Sequence, residues 1–242
     1  MKFTHPREHI LQRRWLWTTH LVCFTALLLW FAPLTHPICQ RLDAFTFYLL
    51  NGSLVDHPLW QQFWGILNHR REVSLNLVMA ALFNLWAILA TRDKALRKTR
   101  IKQILYFWIC FQIGFTLQYH FFNTFLEVAR DSPSLTLHPV TKLSVILQNT
   151  NIKDASYHSF PSGHAFSMVY WAAFTTFCAP RRIAWVGVTL AFILCLARLF
   201  SGAHWLSDTL FSGLLALIWL SWTISTPIYR AIINHRNLLP NT

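Results

Sequence analysis

Three short stretches of this 242-residue chain carry residues that could handle a phosphoryl group. One is Ala129-Arg130-Asp131-Ser132-Pro133-Ser134, and a second is Ser159-Phe160-Pro161-Ser162-Gly163-His164. The third runs from Arg198 to Asp208 through Ser201-Gly202-Ala203-His204. A Pro-Ser-Gly sequence opening an apolar helix leaves backbone N–H groups at its positive dipole end, where an anion is favoured. Gly163 lets that backbone approach closely, and His164 projects from the same turn. His204 and Asp208 are four apart, so on a helix they share a face. The carboxylate could then hold one ring nitrogen and leave the other nucleophilic. Arg130 and Arg198 offer planar, permanently charged forks suited to phosphate oxygens. Two histidines, two arginines and a helix N-terminus around one point spell phosphoryl transfer through a covalent phosphohistidine.

These residues sit at the ends of apolar runs near 15–32, 73–91, 103–122, 162–179, 183–200 and 205–225. Hydrophobic residues make up 54% of the chain and charged ones only 12%, against roughly 25% charged in a soluble domain. That composition excludes a disordered tail, a collagen and a disulfide-stapled mini-protein, and it argues against a water-soluble globule. The expected fold is an all-α integral membrane bundle of six transmembrane helices, one domain over 1–242. The first run follows Arg13-Arg14 and lacks a small-x-small cleavage site, so it reads as an uncleaved first span. Between spans one and two, the mixed segment 38–72 carries Phe45, Phe47, Tyr48, Trp60 and Trp64 and is expected to form short interfacial helices.

The net charge is +12, but its lysines and arginines lie in short runs between spans, not in a nucleic-acid-binding patch. Fourteen of the 21 fall on one side if the spans alternate, among them Lys2, Arg14, Arg236 and six within Arg92–Lys102. The excess places both termini in the cytoplasm. Arg41, Arg70, Arg71, Arg130, Lys142, Lys153 and Arg198 remain on the outer side, where topology does not explain them. The three chemical stretches share that side and can converge. Five cysteines show no CxxC or CxxH spacing, so neither a zinc module nor a disulfide framework is supported.

Pro161-Ser162-Gly163-His164 followed by Arg198-x5-His204-x3-Asp208 resembles the second and third signatures of the type 2 phosphatidic acid phosphatase superfamily. The resemblance implies His204 as nucleophile, Asp208 as its orienting partner, and His164 as acid and then base. It implies that Arg198, Ser162, Gly163 and the outlying Arg130 bind phosphate, with no metal and no cofactor. The first signature of the family, Lys-x6-Arg-Pro, is altered here: Asn123 stands in the lysine position and Asp131 in the proline position. Lys142 or Lys153 could supply the missing cation. Along the whole chain, Asp43-Ala44, Arg130-x-Ser-Pro-Ser and Lys153-Asp154-Ala155-Ser156 are similar to the Gram-negative lipid A 1-phosphate phosphotransferase subgroup. That subgroup reads Phe-Pro-Gly-Asp-His where this chain reads Phe160-Pro161-Ser162-Gly163-His164. The likeness implies a periplasm-facing enzyme of the inner membrane. Its partners would be lipids (undecaprenyl diphosphate, lipid A or another lipid phosphate), with no nucleic acid and no protein partner expected.

A histidine in an apolar chain is ordinarily a packed core residue, and a span-end arginine ordinarily snorkels to the interface. What lifts His164, His204 and Arg198 above those readings is their place in paired motifs on one side. Two rival functions remain. A metalloenzyme could ligate one ion with His164, His204 and Asp208, but the spacing lacks HExxH and Arg198 would repel the ion. A lipid carrier could use the same arginines without chemistry, but no internal repeat of the transporter kind is visible.

Overall fold

The computed structural model describes residues 6–70 and 72–234. Lys2, Arg71 and Arg236, counted above for orientation, lie outside them. Among the described residues the secondary structure is helical with no strand; His69 pairs with Ile152 and Arg130 with His158 in isolated bridges. The helices are α1 (Pro6–Phe31), α2 (His36–Gly52), α3 (Pro58–Leu67), α4 (Glu72–Leu89), α5 (Lys94–Tyr119), α6 (Pro133–Thr136), α7 (Leu143–Ile146), α8 (Gly163–Cys178), α9 (Arg181–Phe200), α10 (Leu206–Ser225) and α11 (Pro227–Asn234). A π-helical turn, His120–Phe125, continues α5.

The six apolar runs fall on α1, α4, α5, α8, α9 and α10, and the mixed segment forms α2 and α3. α5 starts at Lys94, well before its apolar run. Its first turns hold Lys94, Arg97, Lys98, Arg100 and Lys102, which end a hydropathy window but are good helix formers. Asp93 caps that start by accepting the N–H groups of Ala95 and Leu96 at 2.8 and 3.2 Å. Length and apolarity single out α9 and α10 as able to cross a membrane; Leu16–Trp30 and Val78–Leu89 are shorter apolar stretches.

α8 is the hub, packed against α10, α9, α5 and α4. Ala165, Phe166, Met168, Tyr170, Trp171 and Phe174 are buried around its circumference, as expected of a helix apolar on all sides. Small residues let its neighbours close in. At Gly114 a Cβ would lie 2.3 Å from Trp219 Nε1, whose N–H donates to the Cys110 carbonyl at 2.7 Å. Interhelical hydroxyl pairs, Tyr106 with Thr226 at 2.6 Å and Thr19 with Ser221 at 3.2 Å, add about 0.6 kcal/mol each in an apolar medium. Outside the bundle, Leu105, Ile109, Ile113 and Leu117 form an exposed apolar stripe four residues apart on α5. Trp185 and Phe192 on α9 and Leu210 and Trp222 on α10 are likewise exposed.

The α2–α3 pair serves the site directly. Trp64 of α3 stacks on Phe200 at the end of α9, with centroids 4.0 Å apart and planes at 12°. Leu54, Leu143, Ile152 and Ala197 complete this second, smaller core. It fastens the C-terminus of α3 beside the last turn of α9.

Candidate active site

The turn after α9 is built to bring a histidine back over the helix end. Gly202 sits at φ +72°, and a Cβ there would lie 2.8 Å from the Phe47 ring. The carbonyl of Arg198 accepts the N–H groups of Ala203 and His204 at 3.1 and 3.3 Å. One residue of α9 therefore presents its guanidinium and also anchors the backbone of His204. α10 begins two residues later, with Asp208 Oδ2 accepting the Trp205 N–H at 2.9 Å as a cap.

His204 is buried, and its Nδ1–H donates to the Ser159 carbonyl at 2.7 Å; Asp208 Oδ2 is 3.9 Å from that nitrogen. The spacing argument gave the carboxylate the hydrogen bond, and the structure gives it to the main chain. The reason is local. His204 precedes the first residue of α10, so the helical i,i+4 register does not reach it. Protonation at Nδ1 leaves the lone pair on Nε2, on a ring that lines the cavity described below. Burial first, then the positive charges of Lys153 and Arg198, lowers the pKa of His204 to about 3. The ring is neutral at physiological pH, as a nitrogen nucleophile requires.

Ser162 caps α8, its Oγ accepting the Ala165 N–H at 3.3 Å. Its hydroxyl does not line the cavity, whereas Gly163 and His164 do. A Cβ at Gly163 would lie 3.1 Å from Phe115. His164 Nε2 donates to the Leu194 carbonyl of α9 at 3.1 Å, which ties the first turn of α8 to the helix that carries Arg198.

Arg198 is buried in the last turn of α9, where a cation complements the helix dipole. Its Nη1 donates to Asn68 Oδ1 at 3.3 Å. Asn68 is fully buried just after α3; its Nδ2 donates to the carbonyls of Trp64 and Ala197 at 2.8 and 2.7 Å, and its own carbonyl accepts the Lys153 N–H at 2.8 Å. No motif flags Asn68 in the sequence. The unexplained cations beside it, in His69-Arg70-Arg71, were the nearest signal.

Arg130 is where the structure departs most from the sequence reading. It does not line the cavity but lies behind His204, between carboxylates. One nitrogen donates to Asp208 Oδ1 and to Ser207 Oγ, the latter at 2.9 Å, and the other to Asp43 Oδ2 at 2.8 Å. Its guanidinium lies 4.8 and 5.0 Å from the ring centroids of Trp30 and Trp205. Asp43 also accepts the Ser207 N–H and Oγ–H at 2.9 and 2.7 Å. The carbonyl of Arg130 accepts the Ser159 N–H at 2.8 Å, so the same residue holds Ser159, whose carbonyl orients His204. The structure thus places the Arg130 side chain on Asp43, Ser207 and Asp208 and outside the cavity lining, away from the phosphate-binding place expected of it.

The cavity has a volume of about 880 Å³ and a mixed lining. Arg70, Lys153, Arg198, His158, His164 and His204 line it together with the apolar Trp108, Phe111, Phe115 and Met168. Of the two candidates for the missing first-signature cation, Lys153 lines this space and Lys142 does not. Asn123, in the position of that lysine, lines it with a neutral amide. No group of three or more His, Cys, Asp or Glu residues is arranged to hold a metal ion among the described residues.

Comparison with known proteins gives two sequence matches. Residues 128–231, which include all three chemical stretches, match the family model described as PAP2 superfamily. The chain is similar to lipid A 1-diphosphate synthase of Escherichia coli strain K12, 25% identical over 218 residues, 88% of this chain and 88% of that protein. No solved structure matches the chain. Together the two matches indicate a phosphoester hydrolase or phosphotransferase.

Proposed function

On the premise that residues 128–231 are a PAP2-superfamily segment, we propose that the protein is a membrane lipid phosphatase or phosphotransferase working through a phosphohistidine at His204. The observation that carries this reading is the convergence of His164, Arg198 and His204 on one cavity, with the tautomer of His204 fixed by Ser159. Nε2 of His204 attacks the phosphorus, while Arg198 and the α8 N-terminus at Gly163 neutralise the charge growing on the equatorial oxygens. His164 protonates the leaving oxygen and then takes the proton of the incoming acceptor. Asp208 lies near enough to favour the cationic phosphohistidine by charge, and it caps the helix that follows.

The apolar residues of the cavity lining and the exposed apolar side chains on α5, α9 and α10 support a lipid substrate and a bilayer setting. The six apolar runs support six spans; with those, the lysine and arginine bias supports cytoplasmic termini and a site on the opposite face, which the subgroup likeness makes the periplasmic face of the inner membrane. The name of the E. coli relative supports lipid A as acceptor, and the subgroup likeness supports undecaprenyl diphosphate as donor. Ser162-Gly163, in place of the Gly-Asp of the subgroup, favours a second reading in which water is the acceptor.

Incubating the purified protein with polyprenyl diphosphate labelled in its terminal phosphate, with and without lipid A, separates these outcomes. Label appears on lipid A or as inorganic phosphate, and His204→Ala forms neither product. Undiminished turnover by that variant overturns the nucleophile assignment, and binding without any product points to a carrier.

A further inference from the structure

Two cations of the cavity have no part in the chemistry proposed above. Arg70 and Lys153 reach it from segments far apart in sequence, joined by an antiparallel bridge between His69 and Ile152. Lys153 N–H donates to the Asn68 carbonyl, and Arg70 N–H to the Asn151 carbonyl, so the two residues leave opposite strands of one short ladder. The same Asn68 holds Arg198 through its side chain at 3.3 Å. One buried amide thus sets the spacing between the cation in the transfer site and the pair beside it. A single phosphoryl group in flight carries charge for Arg198 and a helix N-terminus; a further Arg–Lys pair lining the same cavity fits a second phosphate.

We propose that Arg70 and Lys153 form an inner-phosphate subsite that selects diphosphate esters over monophosphate esters. The inference rests on the phosphohistidine reading. His204 Nε2 bonds to the terminal phosphorus, and the bond from that phosphorus to the bridging oxygen breaks. Its electron pair leaves with the inner phosphate, which departs as a lipid monophosphate. Arg70 and Lys153 stabilise the negative charge gathered on this leaving group, a charge a monoester does not place there. The phosphoryl group then passes from His204 to the oxygen of water or of an acceptor phosphate, and the displaced proton goes to His164.

The test compares kcat/KM for farnesyl diphosphate and farnesyl monophosphate in the full-length protein. In Arg70→Gln and Lys153→Gln the diphosphate-to-monophosphate ratio should fall about 10- to 100-fold, the size expected for a lost hydrogen bond to a charged group. Lys153→Arg should restore most of that ratio. An unchanged ratio, whether both rates fall together or neither falls, overturns the subsite while leaving the phosphohistidine reading intact. A wild-type protein that turns over neither ester, or a His204→Ala variant that turns over both, overturns the reading beneath it.

Discussion

The imidazole of His204 is oriented by the carbonyl of Ser159, 2.7 Å from Nδ1, and not by the carboxylate of Asp208, whose Oδ2 is 3.9 Å away. A main-chain acceptor holds one tautomer without contributing a charge, so orientation and electrostatics are divided between two residues. The Ser159 peptide is itself held by Arg130, whose side chain also holds Asp208. Both contributions therefore pass through one arginine.

Replacing Arg130 removes its side-chain hold on Asp43 and Asp208, while the main-chain carbonyl that accepts the Ser159 N–H stays in any variant. Arg130→Ala leaves Asp43 and Asp208 buried together without their cation, a loss on the order of 3 kcal/mol, the low end for a broken buried pair because Arg130 is 23% exposed. Arg130→Lys keeps the charge but not the bridging fork and should recover only part of the stability. A melting curve in detergent reads this loss. The KM of whatever folded protein remains should be nearly that of the wild type, since Arg130 does not line the cavity; a KM raised tenfold would return Arg130 to the phosphate site.

Asn68→Ala removes the hydrogen bond to Arg198 and the two amide hydrogen bonds, one to Trp64 of α3 and one to Ala197 of α9. We expect kcat/KM to fall about 10- to 100-fold, because a misplaced guanidinium no longer meets the transition-state charge. Asn68→Asp keeps the acceptor for Arg198 and should be the milder variant in activity. The two variants are compared by steady-state kinetics at equal folded concentration.

The pH dependence follows from His204. Its folded pKa of about 3 lies below the ordinary histidine value near 6.5. The free enzyme therefore keeps a neutral nucleophile as the medium is acidified, and kcat/KM should show no protonation of His204 between pH 8 and 5. Removing the charge of Lys153 relieves one cause of the depression, so Lys153→Gln should move the acid limb upward. For stability the sign is the reverse of a salt-bridged histidine. The unfolded chain takes up a proton near pH 6.5 that the folded chain refuses, so this contribution is full above 6.5 and falls as pH drops toward 3. Rapid-quench measurement of phosphoenzyme against pH checks the first statement, and melting temperature against pH the second.

Gly202→Ala should destabilise the protein by about 1–3 kcal/mol, since alanine is strained at φ +72° and its methyl group would press on Phe47. Because the turn at Gly202 carries His204 over α9, activity should fall along with the melting temperature. A variant that keeps wild-type turnover and stability would contradict this account of the turn.

Much of the molecule was legible in its sequence because hydropathy and motif spacing are local properties. The six apolar runs lie on six helices, and His164, Arg198 and His204 lie at ends of α8 and α9 or in the turn before α10, where backbone groups are unpaired by construction. The sequence on its own also showed the neutral Asn123 in the lysine position of the family signature that it resembles. Which cation compensates was a question of distance through space, and only the packing of segment 151–153 against the end of α3 put Lys153, and not Lys142, on the cavity wall. The fate of Arg130 was decided in the same way. A guanidinium goes to the nearest charge it can reach, and the fold brings Asp43 and Asp208 within reach from residues 87 and 78 positions away along the chain. Spacing along one helix can be read in a line of letters, whereas contact between helices depends on how side-chain volumes pack, and that is settled only when the chain has folded.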